Sequence, residues 1–203
     1  MPFFPPVYVD QSLIVIDKPH GMHAQPDAAR HGDSAVDRLQ REFGLQVRVV
    51  HRLDFDASGL LVFARTRHAA AVLSVALESH AVERTYRAVV KPPLPDGASG
   101  TISAPLRWAS GRCWVDSNGA ASTTHWRVVG AHAEGTELEV TLETGRMHQI
   151  RVHLKHAIGP IVGDTKYGGA PSTRLWLRAI RLAFEHPLTR KPLVFMVPPW
   201  QTT

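Results

Sequence analysis

The chain has 203 residues, and its 23 Lys plus Arg against 18 Asp plus Glu give a formal charge of +5. Hydrophobic residues make up 44% and charged residues 20%, which excludes disordered and collagen-like chains. A chain of this size buries roughly 70% of its unfolded surface, so its core needs neither a disulfide nor a metal.

The opening MPFFPPVYVDQ has no basic segment followed by an apolar one, so no signal peptide is expected. Val7–Val9 and Leu13–Asp17 read as short strands around Asp10-Gln11. Lys18-Pro19-His20-Gly21 breaks into a loop. Ser34 to Phe43 reads as a helix, with Ser34 as N-cap, Asp37 three residues on and Gly44 as the stop. Leu60–Ala64 is an apolar run suited to a buried strand. Thr66 caps an Ala-rich helix over Arg67–Glu78. Thr85–Val90 is β-branched and aromatic, hence a strand.

Lys91–Gly100, with three prolines and two glycines, reads as a linker or long loop. Strands are expected near Arg112–Asp116, Ser122–Val129 and Thr136–Thr144, the last placing Leu138, Val140 and Leu142 on one face. Met147–His156 reads as a short helix. Leu175–Phe184 and Leu193–Val197 are the final strands, joined by a hairpin turn in HPLTRKP. Strands outnumber helices and do not alternate with them. This predicts an α+β fold with a mixed, mainly antiparallel central sheet flanked by helices and loops, in one domain over residues 1–203. No run approaches the roughly 18 apolar residues of a membrane-spanning helix.

Chemistry concentrates in a few segments. His51-Arg52-Leu53-Asp54-Phe55-Asp56-Ala57-Ser58-Gly59-Leu60-Leu61 sets basic and acidic residues in a turn before a buried strand. A carboxylate beside an arginine stays ionised and can act as nucleophile or general base. The same residues also fit a loop salt bridge with an Asx/Gly turn. Gly145-Arg146-Met147-His148-Gln149-Ile150-Arg151-Val152-His153-Leu154 offers donors for phosphates and base edges at Arg146, His148, Gln149, Arg151 and His153. It equally fits a solvated basic helix face. Lys18 stands in a Pro/Gly loop and can meet a phosphate. Gly159–Gly168 reads as a rigid surface loop. In Arg84–Val89, Tyr86 lies between Arg84 and Arg87, where an aromatic can stack on a base or fill the core.

His153 and His156 share a helix face, but no third ligand follows at a zinc spacing, so no metal is expected. No GxGxxG, GxxxxGK[ST] or GxSxG motif occurs, so neither a nucleotide cofactor nor a hydrolase triad has support. Cys113, the sole cysteine, permits no intrachain disulfide and is expected to be a small buried hydrophobe.

In this order the motifs resemble those of the RluA family of pseudouridine synthases. Lys18–Gly21 is similar to its KPxG segment, His51–Leu61 to HRLDxxTSGLL, Arg84–Val89 to KxYxAxV, Gly145–Leu154 to GRxHQIRVHL and Gly159–Gly168 to GxPIxGDxxYG. The resemblance runs from about Val7 to Pro198. Ala57 stands in place of the usual Thr, Arg84 in place of Lys, and Gly159-Pro160 lacks the residue between Gly and Pro.

The resemblance implies conversion of uridine to pseudouridine in structured RNA, without cofactor or metal. Asp54 would be the catalytic carboxylate. Arg151 would pair with it, and Tyr86 would pack on the flipped base. Arg52 would fill the gap left in the RNA stack, since flipping costs a few kcal/mol. Whether Asp54 attacks C1′, adds to C6 or takes a proton from C2′ stays open. His51, Lys18, Arg146, His148 and Gln149 complete the expected RNA-binding set. The first strand begins within ten residues of Met1, so no separate N-terminal RNA-binding domain is expected. The expected partner is an rRNA or tRNA stem–loop, met by a cytoplasmic monomer away from any membrane. A catalytically idle RNA-binding module of the same fold and a metal-dependent hydrolase are the rival readings.

Overall fold

The computed structural model describes residues 5–27 and 33–200. In chain order the elements are β1 (Tyr8–Val9), β2 (Leu13–Lys18), α1 (Ala35–Phe43), β3 (Arg48–Val49), β4 (Ser58–Ala64), α2 (Arg67–Glu78), β5 (Glu83–Val90) and β6 (Ser99–Ser103). Then come β7 (Leu106–Ala109), β8 (Arg112–Val115), β9 (Thr123–His132), β10 (Gly135–Leu142), α3 (Gln149–Ala157), a 3-10 turn (Thr165–Tyr167), β11 (Leu177–Glu185) and β12 (Pro192–Met196). The chain divides into two compact units, one of residues 1–84 with 178–203, the other of residues 85–177.

In the first unit β2 runs antiparallel to β1 and to β4. β4 pairs in parallel with β11, and β12 returns antiparallel to β11. This sheet is therefore mixed. Every residue of β4 is buried, which explains why SGLLVFA shows no alternation. Leu13, Val15, Leu60, Val62, Leu182 and Phe184 from the strands pack with Ala69 and Leu73 of α2. Gly59 is required where β4 meets β11. Its φ is +110°, and a Cβ there would strike the Ala179 backbone.

The starts of α1 and α2 form as the sequence predicts. The Ser34 hydroxyl accepts from the Asp37 amide, the Asp37 carboxylate accepts from the Ser34 amide, and Gly44 closes α1 in the left-handed region. The Thr66 hydroxyl accepts from the Ala69 amide at 3.0 Å.

In the second unit β10 lies antiparallel between β5 and β9, and β6 pairs along β9. Leu138 and Val140 are fully buried, as the alternation predicts, while Leu142 is only half-buried. β7 and β8 form a separate hairpin. Its Leu106 and Cys113 pack with Val152 of α3 and Tyr167, so Cys113 is a buried core residue.

The differences from expectation are local. Lys91–Gly100 ends inside β6, whose SGTIS is too polar and Gly-rich to read as a strand. β7 and the two-residue β3 were not expected. Helix α3 starts at Gln149, because His148 sits in the left-handed region at φ 53°. The 3₁₀ turn lies in Gly159–Gly168, which is no surface loop: Ile161, Val162, Asp164 and Tyr167 are all buried.

Candidate active site

In the first unit, the pairing of Lys18 with Gly59 places the end of β2 beside the start of β4. The loops that leave these ends, 19–22 and 51–57, therefore run together. The Phe55 carbonyl accepts from the Gly21 amide at 2.9 Å and the Met22 amide at 3.3 Å. Lys18 Nζ adds a third donor at 3.4 Å. The Ala57 amide closes the turn on the Asp54 carbonyl at 3.2 Å. Asp54 is thus carried half-buried on a braced turn, flanked by exposed Arg52 and Asp56.

Lys18 is not a phosphate contact. It is fully buried, and Nζ also donates to the Pro19 carbonyl at 2.9 Å and the Met22 carbonyl at 2.8 Å. Burial brings its ammonium down to about 7, although the charges of Asp54, Asp56 and Asp17 pull it upward. Its carbonyl cradle makes it an internal brace of the loop carrying Asp54. Sequence reasoning also missed the neighbouring ion pair, in which buried Arg178 donates from Nη2 to Asp17 at 2.6 Å and from Nε to the Pro198 carbonyl at 2.9 Å.

His51 is also turned inward. Its Nε2 accepts from the Val62 amide at 3.1 Å, so the ring is neutral on that nitrogen. Burial, helped by the Arg84 charge, pushes the ring down to about 3. It is a strand-pinning acceptor and not a cation for RNA.

In the second unit, Tyr86 is buried in β5 opposite Val140. The turn into α3 gathers the other candidates. Arg146 is exposed and His148 half-buried. Gln149 is buried with its amide spent: Oε1 accepts from Thr144 Oγ1 at 2.7 Å and the Arg146 amide at 2.9 Å. Its Nε2 donates to the Thr123 carbonyl at 2.9 Å and Thr124 Oγ1 at 3.0 Å. It shapes the turn and has no donor left for a base edge. His153 is buried between Thr124 Oγ1 and the Ala104 carbonyl, at 2.8 and 2.9 Å, which occupies both ring nitrogens.

Arg151 is buried on α3 and donates to Asp164 from Nε at 2.8 Å and from Nη2 at 2.7 Å. Its guanidinium carbon lies 5.2 Å from the centre of the Tyr167 ring. The Tyr167 hydroxyl hydrogen-bonds His148 Nδ1 at 2.6 Å and accepts from the Cys113 amide at 3.2 Å. Burial pushes this phenol above its ordinary value, so it stays protonated near neutrality. The apolar pair Ile161-Val162 just before Asp164 and Tyr167 is the sequence sign that this segment is buried.

The chain has the fold of pseudouridylate synthases. The solved structure of human RNA Pseudouridylate Synthase Domain Containing 1 superposes with a TM-score of 0.80 at 24% identity, over 97% of this chain and 83% of that one. Residues 12–156 match the RNA pseudouridylate synthase family model, and the chain belongs to that family. Ribosomal large subunit pseudouridine synthase D of Vibrio cholerae is 35% identical over 95% of this chain and 66% of its own length. The protein of the same name from Xanthomonas campestris is 38% identical over 92% of this chain and 63% of its own. The chain thus spans just under two thirds of the length of these curated relatives. Among the described residues, no helix is long and apolar enough to cross a membrane.

Proposed function

We propose that this chain isomerises uridine to pseudouridine at a defined position in structured RNA. Asp54 is the catalytic carboxylate, Arg151 the cation that supports the reaction, and Tyr86 the ring that packs on the flipped base. Arg52, exposed beside Asp54, fills the gap in the stack. Arg146 and His148 meet the RNA from the start of α3. The names of the relatives favour large-subunit rRNA as the substrate, with a tRNA stem–loop as the other source. Residues 1–203 act as one catalytic domain, as a monomer in the cytoplasm, and the reaction needs no cofactor or metal.

The observation that carries this reading is the turn 54–57. Three donors clamp the Phe55 carbonyl, which holds the neighbouring Asp54 carboxylate in place without covering it. A loop fixed at the edge of a rigid sheet is where a reacting group is held in register.

Release of tritium from C5-tritiated uridine in RNA tests it, because C5 loses its hydrogen when it bonds to the sugar. Wild-type protein should release tritium with EDTA present, and Asp54→Asn should release none while keeping RNA affinity. No release on any rRNA or tRNA transcript would overturn the reading in favour of an idle RNA-binding module. Release abolished by EDTA would overturn its metal-free form.

A further inference from the structure

We propose that Asp164 and Tyr167 are positioning residues that fix the Arg151 guanidinium, a role that rests on Arg151 serving the reaction proposed above. The Asp164 carboxylate takes one edge of the guanidinium through Nε and Nη2, which sets its rotation within its own plane. The Tyr167 ring lies against the same group at 5.2 Å, which limits its tilt out of that plane. Together the two contacts leave the guanidinium one orientation.

The holders are themselves held. Asp164 accepts at its carbonyl from the Gly169 amide at 2.8 Å and the Tyr167 amide at 3.1 Å, and its own amide donates to the Ile161 carbonyl at 3.0 Å. Gly163 has φ +81°, and a Cβ there would strike the Arg174 backbone, so this loop has no room to shift. Tyr167 is fixed at its hydroxyl by His148 and by the Cys113 amide of β8. The His148 ring also meets it edge-on at 5.5 Å.

Stability alone does not account for this arrangement. The Arg151 and Asp164 side chains are 3% and 0% exposed. A pair buried to that degree gains little over apolar residues of the same volume, because both charges lose their water. What the pair provides is a guanidinium whose direction is set before any substrate arrives, and a prearranged donor needs no reorganisation during the reaction.

The test uses the full chain with Asp164→Asn, Asp164→Glu and Tyr167→Phe. Three quantities are read: kcat for tritium release, Kd for the RNA, and hydrogen exchange at the Arg151 Nε–H by nitrogen-15 NMR. Asp164→Asn should lower kcat by on the order of tenfold or more with Kd within about twofold, since a misaimed group costs turnover first. Asp164→Glu should restore part of the loss. Tyr167→Phe, which keeps the ring, should lower kcat by roughly threefold to tenfold. The Arg151 Nε–H should exchange slowly in wild type and much faster in Asp164→Asn. If Asp164→Asn fails to fold, Tyr167→Phe and the wild-type exchange rate decide. Unchanged kcat in folded variants overturns the proposal, as does a loss of kcat and RNA binding in equal proportion. An active wild type with unaffected variants overturns this proposal alone, whereas an inert wild type overturns the functional reading and this one with it.

Discussion

His186 Nε2 lies 2.8 Å from Asp10 Oδ2, across 176 residues of chain. The same carboxylate accepts from the Tyr8 hydroxyl at 2.7 Å and from the Ser12 and Leu13 amides at 2.7 and 2.9 Å. His186 Nδ1 in turn accepts from the Leu188 and Thr189 amides, which shapes the β11–β12 turn. The β1–β2 turn and the β11–β12 turn are therefore tied through one carboxylate.

Burial pushes the Asp10 carboxyl up, but its hydrogen bonds from Tyr8, the Leu13 and Ser12 amides and His186 outweigh that and bring it to about 2. A group held below its unfolded value of 3.8 adds stability above that value and loses it as pH falls toward 2. Asp10→Asn should cost about 1–2 kcal/mol at pH 7. The gap between variant and wild type in urea unfolding should narrow as pH drops below 4 toward 2. A gap that is constant with pH would contradict the assignment.

His51 gives the second acid-sensitive point. It is neutral in the fold down to about 3, whereas an unfolded histidine takes a proton near 6.5. The unfolded state therefore binds more protons between those values, and stability falls as pH is lowered through them. His51→Gln keeps an acceptor for the Val62 amide and cannot titrate. Its stability should depend less steeply on pH between 6.5 and 3 than that of wild type, as followed by thermal melting. NMR of the His51 ring should show no titration above pH 4.

Gly59 is the position where a single methyl should do the most damage. Its φ of +110° is costly for alanine, and the added Cβ would collide with the backbone at Ala179. The parallel pairing of β4 with β11 at Arg178–Ser58 and Ala179–Gly59 would have to open. Gly59→Ala should destabilise by about 3–4 kcal/mol, enough to leave a domain of ordinary stability largely unfolded on warming. Thermal melting checks this, and a midpoint within a few degrees of wild type would contradict it.

What the sequence made legible was local or carried by long motifs. The Ser34 and Thr66 caps and the Gly44 stop follow from hydrogen bonds within one turn of chain, and so did α1 and α2. Asp54 stood out because carboxylate, cation and apolar strand are adjacent in sequence. Lys18 was misread because a lysine next to Pro and Gly looks solvated. Its cradle is built partly by Phe55, 37 residues on. Asp164 was hidden for the same reason: its partner lies 13 residues back, beyond a helix and a turn. The β7–β8 hairpin did carry a sign, since Ser110-Gly111 takes positive φ at both positions, 48° and 75°. Strand β7 was missed because its four residues, LRWA, are too few to show alternation.

The exposed arginines separate binding from turnover. Arg52 and Arg146 both face solvent, while Lys18, His51 and Gln149 are spent internally. Phosphate contacts release counterions, so RNA affinity should fall steeply as salt rises from about 50 to 200 mM. Arg146→Ala should weaken binding and reduce the slope of log Kd against log salt by about 1, the signature of one lost phosphate contact. Arg52→Ala should behave differently. Its proposed work is to occupy the gap left by the flipped base, which exists only after the RNA has bound. Its kcat should therefore drop by on the order of tenfold or more while Kd changes by less than about threefold. Filter binding across a salt series and tritium release under saturating RNA separate the two cases. An Arg52→Ala protein that loses affinity and salt slope but keeps kcat would make Arg52 a second phosphate contact and remove it from the flipping step.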